Sequence, residues 1–267
     1  MKYWICCPFQ TSFCVESEDE QFLANLKLKY GDYFTEQGAQ EALCFHVTRE
    51  PERDGYRIEW NGEVAHVESP IVYLAREIVS CRQFHPRVLA LHGAAVEHEG
   101  GAYVFLAATT SGKTTLTTFL TQSGFCYLTD DCVLIDRETL EVYPYTTPIH
   151  LRAGGVEVLQ QYESCPTALN HLQDPGFERW TFLPTSCAKT PFPLKQIFFL
   201  QRTEQENGVI SLDTNEIISR LLKSPIIEYP MTVDHLKIIS RLSQGSAAEI
   251  RYKDMNYVTE VLRHGCP

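Results

Sequence analysis

Positive charge is scarce in this chain. Its 267 residues carry 23 Lys and Arg against 34 Asp and Glu, a formal net charge of -11, and no run of basic residues concentrates the positive charge. Proteins that bind nucleic acid neutralise phosphates with a dense basic face. The composition therefore argues against a nucleic-acid partner and favours a small-molecule or peptide substrate.

Long apolar runs are also missing. No stretch approaches the roughly 20 apolar residues that cross a bilayer. The first residues, MKYWICCPFQTSF, lack the long apolar core and the cleavage site of a signal peptide. We therefore expect a cytoplasmic protein that does not associate with a membrane.

The ten cysteines include no C-x-x-C pair, the spacing that is typical of zinc and redox motifs. Thiols of cytoplasmic proteins stay reduced. We expect free and mostly buried thiols, and the spacing indicates neither a zinc site nor a redox motif.

The length fits one large domain, or a core domain with a small appendage. A turn at Asn61-Gly62 between two alternating runs predicts a hairpin, and residues 20–30 have a helical pattern. Ser69-Pro70 opens another helix that continues to Val79. We predict a small N-terminal α/β module over residues 1–70 and a nucleotide-binding core over residues 71–267.

The second region alternates apolar strands with glycine turns. Runs at 88–91 and 103–106 predict two strands joined by a tight connection at Glu99-Gly100-Gly101. The prolines of 160–190 predict a long loop or lid. Further predicted strands lie at 125–128, 132–136, 141–145, 148–152 and 196–200, and predicted helices at 114–122, 214–223, 232–243 and 254–264.

The stretch AATTSGKTTL, residues 107–116, follows an apolar strand and opens a helix. It meets the phosphate-loop pattern G-x-x-x-x-G-K-[ST] except at Ala107. Such a loop needs converging backbone N–H groups, a lysine for the phosphates and a hydroxyl for Mg²⁺. Alanine is tolerable where its φ is negative and costs about 1 kcal/mol or more otherwise. The alternative is a small-residue turn that carries a surface lysine. The candidate nucleotide-binding residues are Thr109, Thr110, Ser111, Gly112, Lys113, Thr114 and Thr115.

Asp130 and Asp131 follow a short apolar run. Neighbouring side chains of an extended strand point to opposite faces, so both carboxylates approach one site only if the chain bends there. Such a pair can hold Mg²⁺ and can accept a proton from an attacking hydroxyl. A solvated turn or a helix cap is the alternative interpretation.

These features together resemble the HPr serine kinase/phosphorylase superfamily, in particular HPr-kinase-like proteins found beside peptide-modification genes. The segments that carry the resemblance are Leu91 to Val96, Leu106 to Leu116, Tyr127 to Asp131, Pro148 to Arg152, Pro193 to Leu200 and Leu236 to Val261. The resemblance implies an α/β fold with the P-loop-containing core of HPr kinases and PEP carboxykinases. HPr kinases typically carry glycine where Ala107 and Thr110 stand here.

The resemblance also implies a role for each matching residue. Lys113 would bind the β- and γ-phosphates of ATP, and Thr114 would hold Mg²⁺. Asp130 and Asp131 would share metal binding and acceptance of the hydroxyl proton. His92, which on its own is also compatible with a structural histidine, would lie near the transferring phosphate.

The leading hypothesis is an ATP- and Mg²⁺-dependent serine kinase that acts on a small protein or peptide. A homo-oligomer is compatible with this hypothesis. Two alternatives stay open. The chain could be a non-catalytic nucleotide-sensing or peptide-binding protein, or a small-molecule kinase of the same fold. A transport-type ATPase is disfavoured because its signature loop and its downstream Asp-Glu strand are missing.

Overall fold

The computed structural model describes residues 1–9, 12–38, 42–80, 87–108, 110–224 and 232–265. They fall into two compact units, the first formed by Met1–His85, Thr147–Ala153 and Thr167–Leu183, the second by Pro86–Thr146, Gly154–Pro166 and Pro184–Pro267. No helix within the described ranges has the length and apolar character that crossing a membrane requires.

In chain order, the strands of the described residues are β1 Lys2–Ile5, β2 Phe13–Ser17, β3 Phe34–Thr35, β4 Leu43–Glu50, β5 Gly55–Trp60, β6 Glu63–Val67, β7 Val88–Leu91, β8 Ala94–His98, β9 Gly101–Leu106, β10 Cys126–Thr129, β11 Val133–Asp136, β12 Glu141–Tyr143, β13 Ile149–Leu151, β14 Asn170–Asp174, β15 Phe177–Phe182, β16 Phe192–Arg202, β17 Gly208–Ser211 and β18 Ala247–Tyr252. The α-helices are α1 Glu20–Tyr30, α2 Pro70–Ser80, α3 Lys113–Gln122, α4 Ala153–Gln161, α5 Thr214–Lys223, α6 Val233–Leu242 and α7 Met255–His264. This composition confirms the predicted α/β class.

The first unit contains a sheet with the strand order β3-β1-β2-β4-β5-β6, together with the smaller sheet β13-β15-β14. Asp19 caps α1 by accepting a hydrogen bond from the backbone N–H of Phe22 at 2.9 Å. Gly31, at a left-handed φ of 58°, follows the last residue of the helix, a position that favours glycine. The Asn61-Gly62 hairpin is confirmed, because it joins β5 to β6 in antiparallel register.

The second unit contains the larger sheet, in which β10-β8-β9-β16-β12-β11-β7 are neighbours and β18 also pairs with β16. β9, β16 and β18 run parallel, and every residue of β9 is buried. In open α/β sheets, ligands bind beyond the carboxyl ends of such strands. The topology therefore directs attention to the segment that follows β9.

The described structure differs from the sequence predictions in several places, and α4 and β17 are among the elements that were not predicted. The connection at Glu99-Gly100 joins β9 to β8, a strand that was not predicted, rather than to β7. The segment 160–190 is not simply a loop, because β14 and β15 form a hairpin within it. The first compact unit extends past residue 70 and takes in two later segments, because α1 packs on α2 and on β14.

Candidate nucleotide and metal site

The loop after β9 lies at one end of the strands of the larger sheet, where several strands begin or end. Ala94, at the start of β8, is paired with Phe105 near the end of β9. The next residue of β8, Ala95, is paired with Thr129, the last residue of β10. The segments that follow β9 and β10 therefore lie close to the segment that precedes β8, at the same end of the sheet.

The side chain of Lys113 is folded over this loop. Its Nζ donates hydrogen bonds to the carbonyl oxygens of Ala107 at 2.8 Å and Ala108 at 3.1 Å. Lys113 is buried, with 6% of its surface exposed, so it is not the surface lysine of the alternative interpretation. Burial lowers the pKa of Lys113, whereas the nearby carboxylates of Asp130 and Asp131 act in the opposite direction.

The backbone φ values of the loop show whether alanine is tolerated at the first position of the motif. In the described part of the loop, left-handed φ values occur at Thr110 (68°) and Gly112 (90°) and not at Ala107. Alanine at 107 therefore meets the condition for being tolerated. The strain falls on Thr110 instead, since a left-handed conformation costs an L-residue about 1–2 kcal/mol.

The other loop residues surround the start of α3. Ser111 Oγ donates a hydrogen bond to the carbonyl oxygen of Ala108 at 2.6 Å, and Gly112 occupies the position before the first helical residue. Thr114 and Thr115 are half-buried in the first helical turn. Thr109 lies outside the described residues. The first turn of a helix has unpaired N–H groups and a partial positive charge, which together favour an anion.

The two aspartates occupy the bend that the sequence analysis required. Asp131 has a left-handed φ of 78°, and Thr129 Oγ1 donates a hydrogen bond to the carbonyl oxygen of Cys132 at 2.8 Å across the turn. As a result the two neighbouring carboxylates have different surroundings. Asp130 is buried, with 5% exposure, whereas Asp131 is exposed.

The electrostatics of Asp130 are unusual for a buried carboxyl. Burial, together with the neighbouring Asp131 carboxylate, raises its pKa to about 8. A hydrogen bond from the Thr114 side chain and the charge of Lys113 act in the opposite direction. Asp130 Oδ1 is buried without a hydrogen-bond partner. Buried polar atoms are almost always paired, so this oxygen has an unused capacity to bind a ligand.

The oxygen atoms at this position fit a hard divalent cation. Mg²⁺ is bound in proteins by one or two carboxylates and keeps several waters and phosphate oxygens as its other ligands. Asp130 supplies a buried carboxylate oxygen, Oδ1, that has no hydrogen-bond partner. Thr114 supplies a hydroxyl that hydrogen bonds to the same carboxyl, and Asp131 supplies a second carboxyl beside it. The residues that could hold Mg²⁺ are therefore the three that the sequence analysis predicted.

His92 lies next to the aspartate turn. Its Nδ1 is 3.1 Å from the carbonyl oxygen of Asp131, and its side chain is half-buried. The following residue, Gly93, must be glycine for steric reasons, since a Cβ there would lie 2.8 Å from the carbonyl oxygen of Phe105. The close approach of β9 to the His92-Gly93 segment holds the histidine at the edge where the loop begins.

One neighbour of the loop was not predicted as a site residue. A Cβ placed on Gly112 would lie 3.5 Å from the hydroxyl of Tyr252, the last residue of β18. This tyrosine is buried, and burial raises its pKa to about 12. Sequence analysis could place Tyr252 only within the terminal segment Leu236 to Val261, because its proximity to the loop depends on the pairing of β18 with β16 and of β16 with β9.

Comparisons with known proteins give little to add to this geometry. No protein-family model matches the chain, and no curated protein sequence matches it. Among solved structures, the chain is similar to the Hpr(Ser) kinase/phosphatase from Coxiella burnetii, with a TM-score of 0.35 and 9% sequence identity over 65% of this chain and 93% of that chain. A likeness of this size carries no functional argument, so the site is judged on its own residues.

Proposed function

We propose that this protein is a P-loop kinase of the HPr-kinase-like type, which uses ATP and Mg²⁺ to phosphorylate a serine hydroxyl on a small protein or peptide. The observation that carries the proposal is the buried, unpaired Asp130 Oδ1, on a carboxyl that contacts Thr114 beside Lys113 at the start of α3. A structural turn gives no reason to bury an unpaired carboxylate oxygen next to a buried lysine.

The loop residues supply the phosphate contacts in this proposal. Lys113 would exchange its two carbonyl acceptors, on Ala107 and Ala108, for oxygens of the β- and γ-phosphates. The backbone N–H groups at the start of α3 would contact the same phosphates, as they do at helix N-termini generally. Thr114, Asp130 and Asp131 would hold Mg²⁺, which neutralises the charge that develops on the phosphates.

The acid–base role follows from the contrast between the two carboxyls. The resemblance implies that the aspartate pair accepts the hydroxyl proton, and Asp130 is the buried member of the pair, in contact with Thr114. We assign to Asp130 the acceptance of the proton from the incoming hydroxyl. Asp131 lies exposed beside it and would orient the acceptor or the metal. His92, which contacts the Asp131 backbone, would lie near the transferred phosphoryl group.

The acceptor is proposed to be a peptide or small protein, on the grounds of the resemblance and of the net charge of -11. A negative surface favours a basic partner through faster association at low salt. Two other functions are compatible with the same residues. A nucleotide-sensing protein would bind ATP and transfer nothing, and a small-molecule kinase would consume ATP without labelling peptides.

The test is a pair of measurements on the full chain, namely nucleotide binding by thermal shift and ³²P transfer from ATP to a panel of candidate peptides. Asp130→Asn should retain nucleotide binding and lose transfer by orders of magnitude. Asp234→Asn, at an exposed aspartate of α6, is the matched control and should retain both. Transfer by Asp130→Asn at the wild-type rate would remove the assigned base. Nucleotide binding by the wild type without any transfer to a peptide would contradict the peptide kinase and favour the sensing protein or the small-molecule kinase.

A further inference from the structure

A second cluster of ligand atoms lies on the first unit's larger sheet, outside the nucleotide site. β2 and β4 are neighbouring parallel strands, and their register pairs Cys14 with Cys44 and Glu16 with His46. Side chains two residues apart on a strand share one face of the sheet. The two thiols, the carboxylate and the imidazole therefore project from the same face, while Phe45 and Val47 of β4 are buried on the other.

The ligand atoms of three of these groups lie close to one another, and the fourth group, His46, contacts one of them. Cys44 Sγ is 2.7 Å from Cys14 Sγ, and the ligand atoms of Cys14, Glu16 and Cys44 all lie within 4.8 Å of one another. The Cys44 thiol also hydrogen bonds to the Glu16 carboxylate. His46 Nδ1 lies 3.1 Å from Glu16 Oε2, so the imidazole borders the same cluster.

We propose that Cys14, Cys44 and Glu16 form a binding site for a thiophilic divalent cation, with His46 as the fourth ligand, and that Zn²⁺ is the cation it fits best. Zinc is bound tetrahedrally by Cys sulfur, His nitrogen and carboxylate oxygen. Two thiolates select against the hard cation Mg²⁺. This site rests on the first unit alone and is independent of the proposed kinase function.

The spacing of the cysteines along the chain gave no sign of this site. Zinc motifs are recognised in sequence by two cysteines a few residues apart, whereas these two cysteines come from separate strands. The parallel register of β2 and β4 brings them together. The sequence spacing indicated no zinc site, and the proposal rests on the strand register instead.

A cation can reach the cluster with small side-chain movements. Tetrahedral Zn²⁺ with Zn–S bonds of about 2.3 Å separates its two sulfurs by about 3.8 Å, so the thiols would move apart by about 1 Å. Glu16 Oε1 is paired with Lys2 at 2.6 Å, whereas Oε2 faces His46. A surface cavity of about 860 Å³, lined by Lys2, Glu16 and His46 among others, borders the cluster on the side of the carboxylate and the imidazole.

The main competing explanation is a disulfide between Cys14 and Cys44. A disulfide needs only the two sulfurs. It would leave unexplained why a carboxylate and an imidazole occupy the adjoining positions of the same two strands and contact each other. A cation uses all four groups, and the ladder between β2 and β4 then holds the ligands at fixed spacing.

The experiment uses the full chain, reduced, stripped of metal with a chelator, and titrated with Co²⁺ as a spectroscopic substitute for Zn²⁺. We expect one equivalent to bind, with cobalt–thiolate charge-transfer absorption and the visible bands of tetrahedral cobalt, and Zn²⁺ to displace it. Cys14→Ser and Cys44→Ser should abolish the thiolate absorption. His46→Ala should weaken binding by about 10–100-fold. The matched control is Cys6→Ser, because Cys6 is a half-buried thiol of the same unit that lies outside the cluster.

Glu16→Gln provides a variant that keeps both thiols and the shape of the side chain, in case a serine variant fails to fold. It should retain the circular dichroism of the wild type and bind Co²⁺ more weakly by at least tenfold. The proposal is overturned if the reduced wild type gives no cobalt–thiolate absorption, or if Cys14→Ser and Cys44→Ser bind Co²⁺ as the wild type does. It is also overturned if the protein, as purified, holds a Cys14–Cys44 disulfide and the reduced form takes up no Co²⁺ or Zn²⁺.

Discussion

Replacing Asp130 with asparagine should stabilise the protein, and the gain should increase with pH. The pKa of Asp130 is raised from its usual 3.8 to about 8, first by burial and then by the Asp131 carboxylate. The folded state therefore keeps a proton that the unfolded chain releases above pH 3.8, so the wild type loses stability as pH rises from about 4 to about 8. Asparagine cannot ionise and carries no such dependence.

The size of the effect follows from the same shift. Each pKa unit corresponds to about 1.4 kcal/mol, and at pH 7 only the roughly three units between 3.8 and 7 contribute. The upper limit for the gain of Asp130→Asn at pH 7 is therefore about 4 kcal/mol, with a slope of at most about 1.4 kcal/mol per pH unit. Urea unfolding of both proteins at a series of pH values from about 5 to 8 measures the difference directly.

Asp136, a buried aspartate whose pKa is lowered rather than raised, provides the control. Burial opposes ionisation of Asp136, but hydrogen bonds from the backbone of Thr139 and Glu138 and from Arg87 hold its pKa below the usual value. Asp136→Asn should therefore destabilise the protein at neutral pH. A stability difference between wild type and Asp130→Asn that does not change from pH 5 to pH 8 would refute the assignment of a raised pKa to Asp130.

Three further predictions test the geometry of the same edge. Thr110→Gly should raise the free energy of unfolding by about 0.5–1 kcal/mol in urea titrations, because the strain energy removed at the left-handed φ exceeds the entropic cost of glycine. A lower free energy of unfolding would contradict the strain at Thr110. Gly93→Ala should lower the free energy of unfolding by about 1–3 kcal/mol, because the new Cβ would lie 2.7 Å from Leu106 Cδ2. An unchanged urea midpoint would contradict that contact. Lys113→Ala should weaken ATP binding at least tenfold in calorimetry, and wild-type affinity would remove the lysine from the proposed phosphate site.

The features that sequence analysis predicted correctly depend on local chemistry. Asn61 and Gly62 both adopt left-handed φ values, of 45° and 81°, which is what a two-residue hairpin between twisted strands requires. The helix after Lys113 likewise depends on residues within a few positions. Local rules were sufficient for these elements because the residues that determine them are adjacent in the chain.

The features that were missed depend on contacts between distant segments. β8 is a five-residue strand, and the residues before it approach β9 so closely that Gly93 admits no Cβ. The contact of Cys14 with Cys44 depends on the register of two parallel strands, which no nearby turn determines. Tyr252 reaches the loop only because β9, β16 and β18 lie side by side. Pairing of this kind is a property of the sheet and has no signature in a short window of sequence.

The comparison of Asp130 with Asp136 gives the strongest reason to place function at the end of the sheet where β9 and β10 end. Both are buried aspartates of the second unit. Asp136 accepts hydrogen bonds from two backbone N–H groups and from Arg87, as a structural carboxylate should. Asp130 keeps an unpaired oxygen, and the left-handed Thr110 lies in the loop beside it. An unpaired buried oxygen and a strained backbone that lie close together are typical of binding and catalytic sites. The buried Asp136, by contrast, has hydrogen-bond partners for its carboxylate. The burial of Asp130 is therefore better explained by a ligand than by the fold.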